Sequence, residues 1–86
     1  MENIIDRINQ MEAYFDMLQE IVNDTPERIY ESEELQEKLK ILRDYYENGQ
    51  WLRDFECDER GELPIGLKRG ILSEDGLYHL LNDIFV

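Results

Sequence analysis

Residues 3–23 read NIIDRINQMEAYFDMLQEIVN, and this stretch decides the fold class. Its main apolar residues recur at alternating steps of four and three, which places their side chains on one face of an α-helix. This stripe consists of Ile4, Ile8, Met11, Phe15, Leu18 and Val22. A helix of this length extends about 30 Å. The sequence therefore predicts a long amphipathic first helix.

A second helical stretch, residues 26–48, follows a stop-and-restart signal at Asp24-Thr25-Pro26. Asp and Thr cap helix N-termini well, and Pro suits the first turn, where its missing N–H has no partner to lose. Asn48-Gly49 is typical of a helix C-terminus. The pattern predicts a second long helix, although Ser32 can also start a new helix, so a break near residue 31 remains an alternative.

Residues 50–72 show no comparable periodicity, and we expect a loop-rich segment there, held to the core by Trp51. Ser73 can cap a short last helix, with Glu74 and Asp75 as favourable charges in its first turn. The expected fold is a single all-α domain spanning residues 1–86. It would combine a helical hairpin of two long helices, the loop-rich segment and a short C-terminal helix.

The composition narrows the classes of partner. The chain has 86 residues, and its 21 acidic against 9 basic residues give a net charge of −12. Direct contact with nucleic acid needs a basic face, and an anionic membrane surface attracts basic segments for the same reason. We therefore expect neither, whereas a basic protein partner or a cation is compatible with the charge.

The compartment expected from the sequence is the cytoplasm. The single cysteine, Cys57, cannot form an internal disulfide, so a secreted disulfide scaffold is not expected. The first residues lack the basic start and apolar run of a secretory signal. No stretch approaches the roughly 18 apolar residues of a membrane span.

A long pattern runs from Tyr45 to Leu81. Its letters are YY at 45–46, G at 49, WL at 51–52, DFE at 54–56, D at 58, G at 61, LP at 63–64, LKRGILSEDGLY at 67–78 and LL at 80–81. The pattern resembles a small bacterial family of the DUF4298 type, which is known only as a domain of unknown function. The resemblance implies an intracellular protein of a bacterium or phage, and it brings no activity, cofactor or site with it.

Catalytic chemistry has few candidates in this sequence. The only histidine, His79, lies in the predicted last helix, and Cys57 lies among acids that oppose formation of a thiolate. Neither belongs to a recognisable set of nucleophile, base and orienting group. The glycines are scattered and form no phosphate-binding loop. We therefore predict no catalytic residues, no cofactor and no enzymatic activity.

Residues 54–62 alternate carboxylates in the way that a calcium loop of the EF-hand type begins. The pattern then fails, because Glu59 stands where such a loop needs glycine and Ile65 where it needs a bidentate glutamate. We predict no metal site, and a metal-responsive regulator using this segment is the weakest alternative.

The first helix carries an acidic ladder at successive i,i+4 steps, consisting of Glu12, Asp16, Glu20 and Asp24. Each like-charged pair costs an isolated helix roughly 0.2–0.5 kcal/mol, so the ladder is either a solvated face or a surface that a basic partner covers. Lys68-Arg69 is the only adjacent basic pair, and it either binds a partner or forms internal ion pairs.

These features predict a non-enzymatic protein-interaction or accessory module. The partner-binding residues would be Glu12, Asp16, Glu20, Asp24, Lys68 and Arg69. An acidic inhibitor that mimics nucleic acid and occupies a basic groove is the main alternative. Mimicry would require the acids to form one continuous surface.

Overall fold

The computed structural model describes residues 3–73 and 75–85, so the predicted role of Glu74 lies outside them. Over these residues the chain forms α-helices and no strand, which confirms the all-α class. The helices are α1 (Ile4–Asp24), α2 (Glu27–Glu31), α3 (Glu33–Glu47), α4 (Gln50–Glu59) and α5 (Gly76–Phe85), and a 3-10 turn spans Gly70–Leu72.

The first helix has nearly the predicted limits, and the second is divided. Asn3 caps α1 by accepting a hydrogen bond from the N–H of Ile5 at 2.8 Å. Ser32 has an extended backbone and accepts a hydrogen bond from the N–H of Leu35 at 3.3 Å, so it ends α2 and caps α3. One continuous second helix is therefore wrong, and the alternative break near residue 31 is confirmed.

The prediction of a loop over residues 50–59 is also wrong, because α4 occupies them. Gly49, with φ +92°, lets the chain turn from α3 into α4. Gly61, with φ +72°, ends α4 in a C-cap that two backbone hydrogen bonds close. Its N–H donates to the carbonyl of Asp58 at 3.0 Å, and the N–H of Glu62 donates to that of Cys57 at 3.1 Å.

The core lies where α1 packs against α2, α3, α5 and the 3-10 turn, and where α3 and the turn also pack against α4. The residues at its centre have no more than 2 % of their surface exposed; they include Ile8, Leu18, Ile29, Leu42, Tyr45, Ile71, Leu72, Leu77 and Leu80. Ser73 caps the start of α5 as predicted, since its hydroxyl accepts a hydrogen bond from the N–H of Gly76 at 3.1 Å. Among the described residues, none of the helices has the length and apolar character that a membrane crossing requires.

Candidate functional site

A cleft of about 440 Å³ opens between the end of α1, α2 and the start of α3. We call it the acidic cleft; it is lined by Met17, Glu20, Ile21, Asp24, Thr25, Arg28, Ser32, Glu34 and Leu35. Two of its acids belong to the predicted ladder of α1. The fold therefore joins part of that ladder to a concave surface.

The acidic cleft combines apolar and anionic groups. Met17 is 39 % exposed beside the buried Leu35, so apolar surface is open to a ligand. Against three carboxylates, the lining holds one base, Arg28. The carboxylate of Glu34 accepts a hydrogen bond at 2.8 Å from Lys38, and this bond lowers the pKa of Glu34. The side chain of Glu20 is exposed and makes no hydrogen bond or ion pair within the described part of the chain.

The ladder is not one exposed stripe. Asp16, Glu20 and Asp24 are exposed, whereas only 7 % of the surface of Glu12 is exposed. Each i,i+4 step rotates about 40° around the helix, so a ladder that starts beside the core at Glu12 turns toward solvent further along. Glu12 therefore has a structural role in the fold, and its role in partner binding stays a prediction. The sequence carried a signal for this structural role, because Glu12 follows the core residue Ile8 by four residues and so shares its side of the helix.

Glu12 helps to hold the 3-10 turn. Its carboxylate accepts a hydrogen bond from the N–H of Ile71 at 2.6 Å, and the carbonyl of Ile71 accepts one from the indole N–H of Trp51 at 2.8 Å. A Cβ atom at Gly70 would lie 2.7 Å from a carboxylate oxygen of Glu12, so glycine permits this approach. Side chains of α1 and α4 thus hold both backbone groups of Ile71.

A buried ionic cluster connects α1, α3 and α4 around Asp54, which is 0 % exposed. Arg7 donates to both carboxylate oxygens of Asp54, at 2.6 and 3.1 Å, and the Tyr45 hydroxyl donates to one of them at 2.6 Å. Burial, and then the hydrogen bond to Asp54, raise the pKa of Tyr45. Both carboxylate oxygens of Asp54 thus accept hydrogen bonds within the protein. Sequence reasoning missed it, although Asp54 follows Trp51 by three residues and shares its helix face.

Arg69 is used inside the protein. Its guanidinium donates to the carboxylate of Asp58 at 2.5 Å and to the carbonyls of Leu63, Pro64, Ile65 and Leu67. The alternative that the basic pair forms internal ion pairs is confirmed for Arg69, and its role in partner binding stays a prediction. Lys68 remains exposed, and its binding role stays a prediction.

The segment 54–62 does not form an acidic turn. Most of it is helical in α4, and the carboxylates of Asp54 and Asp58 are each bonded to an arginine. No group of three or more His, Cys, Asp or Glu side chains within residues 3–73 and 75–85 is arranged to hold a metal ion. Cys57 is half-buried and accepts a hydrogen bond from Arg60 at 3.3 Å.

A second groove, of about 410 Å³, lies between α3 and α5. Its lining is more apolar and consists of Arg43, Tyr46, Glu47, Tyr78, Leu81 and Asn82. His79, next to Tyr78 on α5, is exposed and is not part of this lining.

Comparison with known proteins gives one family. A family model described as a domain of unknown function, DUF4298, matches residues 8–85. Neither the curated proteins nor the solved structures gave a significant match. Within the matched residues, Tyr45, Trp51, Asp54, Arg69 and Gly70 all make or permit contacts inside the fold. These five residues of the pattern quoted above thus serve the structure of the fold.

Proposed function

The chain belongs to the DUF4298 family of domains of unknown function, and from that premise we propose that it is a non-enzymatic protein-interaction module. Its acidic cleft receives a basic segment of another protein. The observation that carries this proposal is the position of Glu20 and Asp24, which stand exposed at the edge of a concave surface that also contains Met17.

The chemistry of the cleft specifies a segment with an apolar side chain beside lysine or arginine. The apolar group packs on Met17, whose exposed apolar surface it removes from water. The cation lies near Glu20 and Asp24, whose two negative charges exceed the single positive charge of Arg28. Attraction between such exposed charges speeds encounter and weakens as salt screens it.

A local cleft is better supported than mimicry of nucleic acid. Mimicry needs a continuous acidic surface, and the burial of Glu12 removes the first member of the ladder from the surface. Asp16 is exposed but does not line the cleft, so it extends the negative field along α1. We propose that Asp16 attracts the partner and that Glu20 and Asp24 contact it.

A peptide probe tests this proposal. The probe is a short synthetic peptide with one leucine flanked by lysines, and its control replaces the leucine with serine. Backbone amide NMR shifts are followed while each peptide is titrated into the labelled protein. We expect the leucine peptide to shift the amides of Met17, Ile21 and Leu35 most, and the serine peptide to do so weakly. Equal, scattered shifts with both peptides would overturn the proposal.

A further inference from the structure

The segment 63–69, which we call the Ile65 loop, presents an apolar side chain at its tip. Ile65 is 96 % exposed, the highest value among the exposed large apolar residues of the described chain. The N–H of Leu67 donates to the carbonyl of Pro64 at 3.2 Å, which closes a tight turn with Ile65 at its corner. A single exposed apolar residue is ordinary on a protein surface, so exposure alone carries no conclusion.

The fixed backbone distinguishes this residue. Arg69 donates to the carbonyls of Pro64, Ile65 and Leu67 at 2.7, 3.1 and 3.1 Å, and Asp58 in α4 holds the same guanidinium. Ordering a loop is one of the costs of association, and a loop held in advance avoids most of it. The backbone that carries Ile65 is thus ordered before any partner binds.

The loop also differs in charge from the rest of the domain. Residues 63–70 contain no acid, while the whole chain has a net charge of −12. Arg69 is compensated by Asp58, which leaves Lys68 as the exposed charge of the loop. The acidic cleft is suited to bind this combination of an apolar side chain and an exposed ammonium.

We infer that the Ile65 loop docks in the acidic cleft of a second copy of this chain. Ile65 covers Met17 and Leu35, and the ammonium of Lys68 approaches the carboxylates of Glu20 and Asp24. The inference rests on the proposed function, because it uses the same cleft and names its occupant. The contact joins different surfaces of the two copies, so repeated contacts build open chains or close into rings.

Net charge sets the conditions for this contact. Copies of charge −12 repel at long range, and that repulsion is screened beyond about 8 Å at physiological salt. The short-range contact of Lys68 with the cleft is screened less. We therefore expect weak association that is detectable at high protein concentration and at physiological rather than very low salt.

The test uses sedimentation velocity of the full chain from micromolar to millimolar concentration. The loop variant carries Ile65→Ser and Lys68→Glu, and the cleft variant carries Glu20→Lys and Asp24→Lys. All four side chains are exposed, so both variants should keep the wild-type circular dichroism and melting temperature. Wild type is expected to associate as concentration rises, and each variant alone to remain monomeric.

An equimolar mixture of the two variants gives the decisive result. It retains one intact loop and one intact cleft, so it is expected to form dimers and nothing larger. The single substitution Ile65→Ser, which leaves the net charge unchanged, should weaken wild-type association on its own. A monomeric wild type at millimolar concentration would overturn the inference, as would a loop variant that associates like wild type. If wild type is monomeric but the leucine peptide still maps to the cleft, only the second copy is excluded and the proposed function stands.

Discussion

The carboxylate of Glu12 accepts a hydrogen bond from the backbone N–H of Ile71 at 2.6 Å, across 59 residues of sequence. This bond joins the first helix to the 3-10 turn Gly70–Leu72. The indole N–H of Trp51 donates to the carbonyl of Ile71. Side chains of α1 and α4 thus hold both backbone groups of this residue. Glu12, which the sequence predicted to bind a partner, thus holds α1 to the 3-10 turn.

Replacing Glu12 with alanine should lower the free energy of unfolding by about 1–3 kcal/mol, because the buried N–H of Ile71 loses its acceptor. Asp16→Ala removes the same charge from an exposed position of the same helix and should change stability by less than about 0.5 kcal/mol. Urea unfolding measures both. Equal effects of the two substitutions would contradict the structural role of Glu12.

Trp51→Ala should cost about 3–5 kcal/mol, a large part of the stability of a domain this small. The indole is buried, stacks on Phe55 with a centroid distance of 5.1 Å and donates to Ile71. Trp51→Phe should cost less, because it keeps an aromatic ring in place and loses only the N–H and part of the buried ring volume. A thermal melt that Trp51→Ala leaves unchanged would show that Trp51 does not anchor the core.

The raised pKa of Tyr45 predicts a loss of stability in alkali. Above about pH 10 an unfolded tyrosine releases its proton, while folded Tyr45 retains it, so the free energy of unfolding falls as the pH rises. Tyr45→Phe should make this fall shallower. The measurement is urea unfolding at a series of alkaline pH values. Identical slopes for wild type and Tyr45→Phe would refute the assignment.

Arg69→Lys should destabilise the protein by about 1–3 kcal/mol although it preserves the charge. An ammonium cannot reproduce the fork with which Arg69 reaches Asp58 and several carbonyls at once. Lys68→Ala is the matched control and should leave the melting temperature nearly unchanged, because Lys68 is exposed. If Arg69→Lys melts like wild type, the Ile65 loop does not depend on the guanidinium.

Local signals were sufficient for much of the fold. The apolar spacing of residues 3–23 gave α1 to within about a residue at each end, and the hydroxyls of Ser32 and Ser73 marked helix starts because a cap is a contact between near neighbours. The helix α4 was not predicted, because its ten residues offer only a short apolar face and that face includes the acid Asp54. Its limits were nevertheless marked by Gly49 and Gly61.

The roles of the charged residues were harder to predict, since burial of a charge depends on partners that are distant in sequence. Asp54 is stable in the core because Arg7, 47 residues away, reaches it. The same difficulty applied to Glu12. The acidic cleft could not be derived from the ladder alone, because it exists only where α2 and α3 pack beside the end of α1.

The measurement that tests the account most directly is the affinity of the leucine–lysine peptide for three proteins at low and high salt. These are wild type, the cleft variant (Glu20→Lys, Asp24→Lys) and a control in which the exposed acids Glu37 and Asp44 of α3, outside the cleft, become lysine. Both variants change the net charge equally. We expect wild type and the control variant to bind with similar affinities that fall as salt rises, and the cleft variant not to bind. Equal loss of binding in both variants would show that the peptide responds only to net charge, and would contradict a binding site in the acidic cleft.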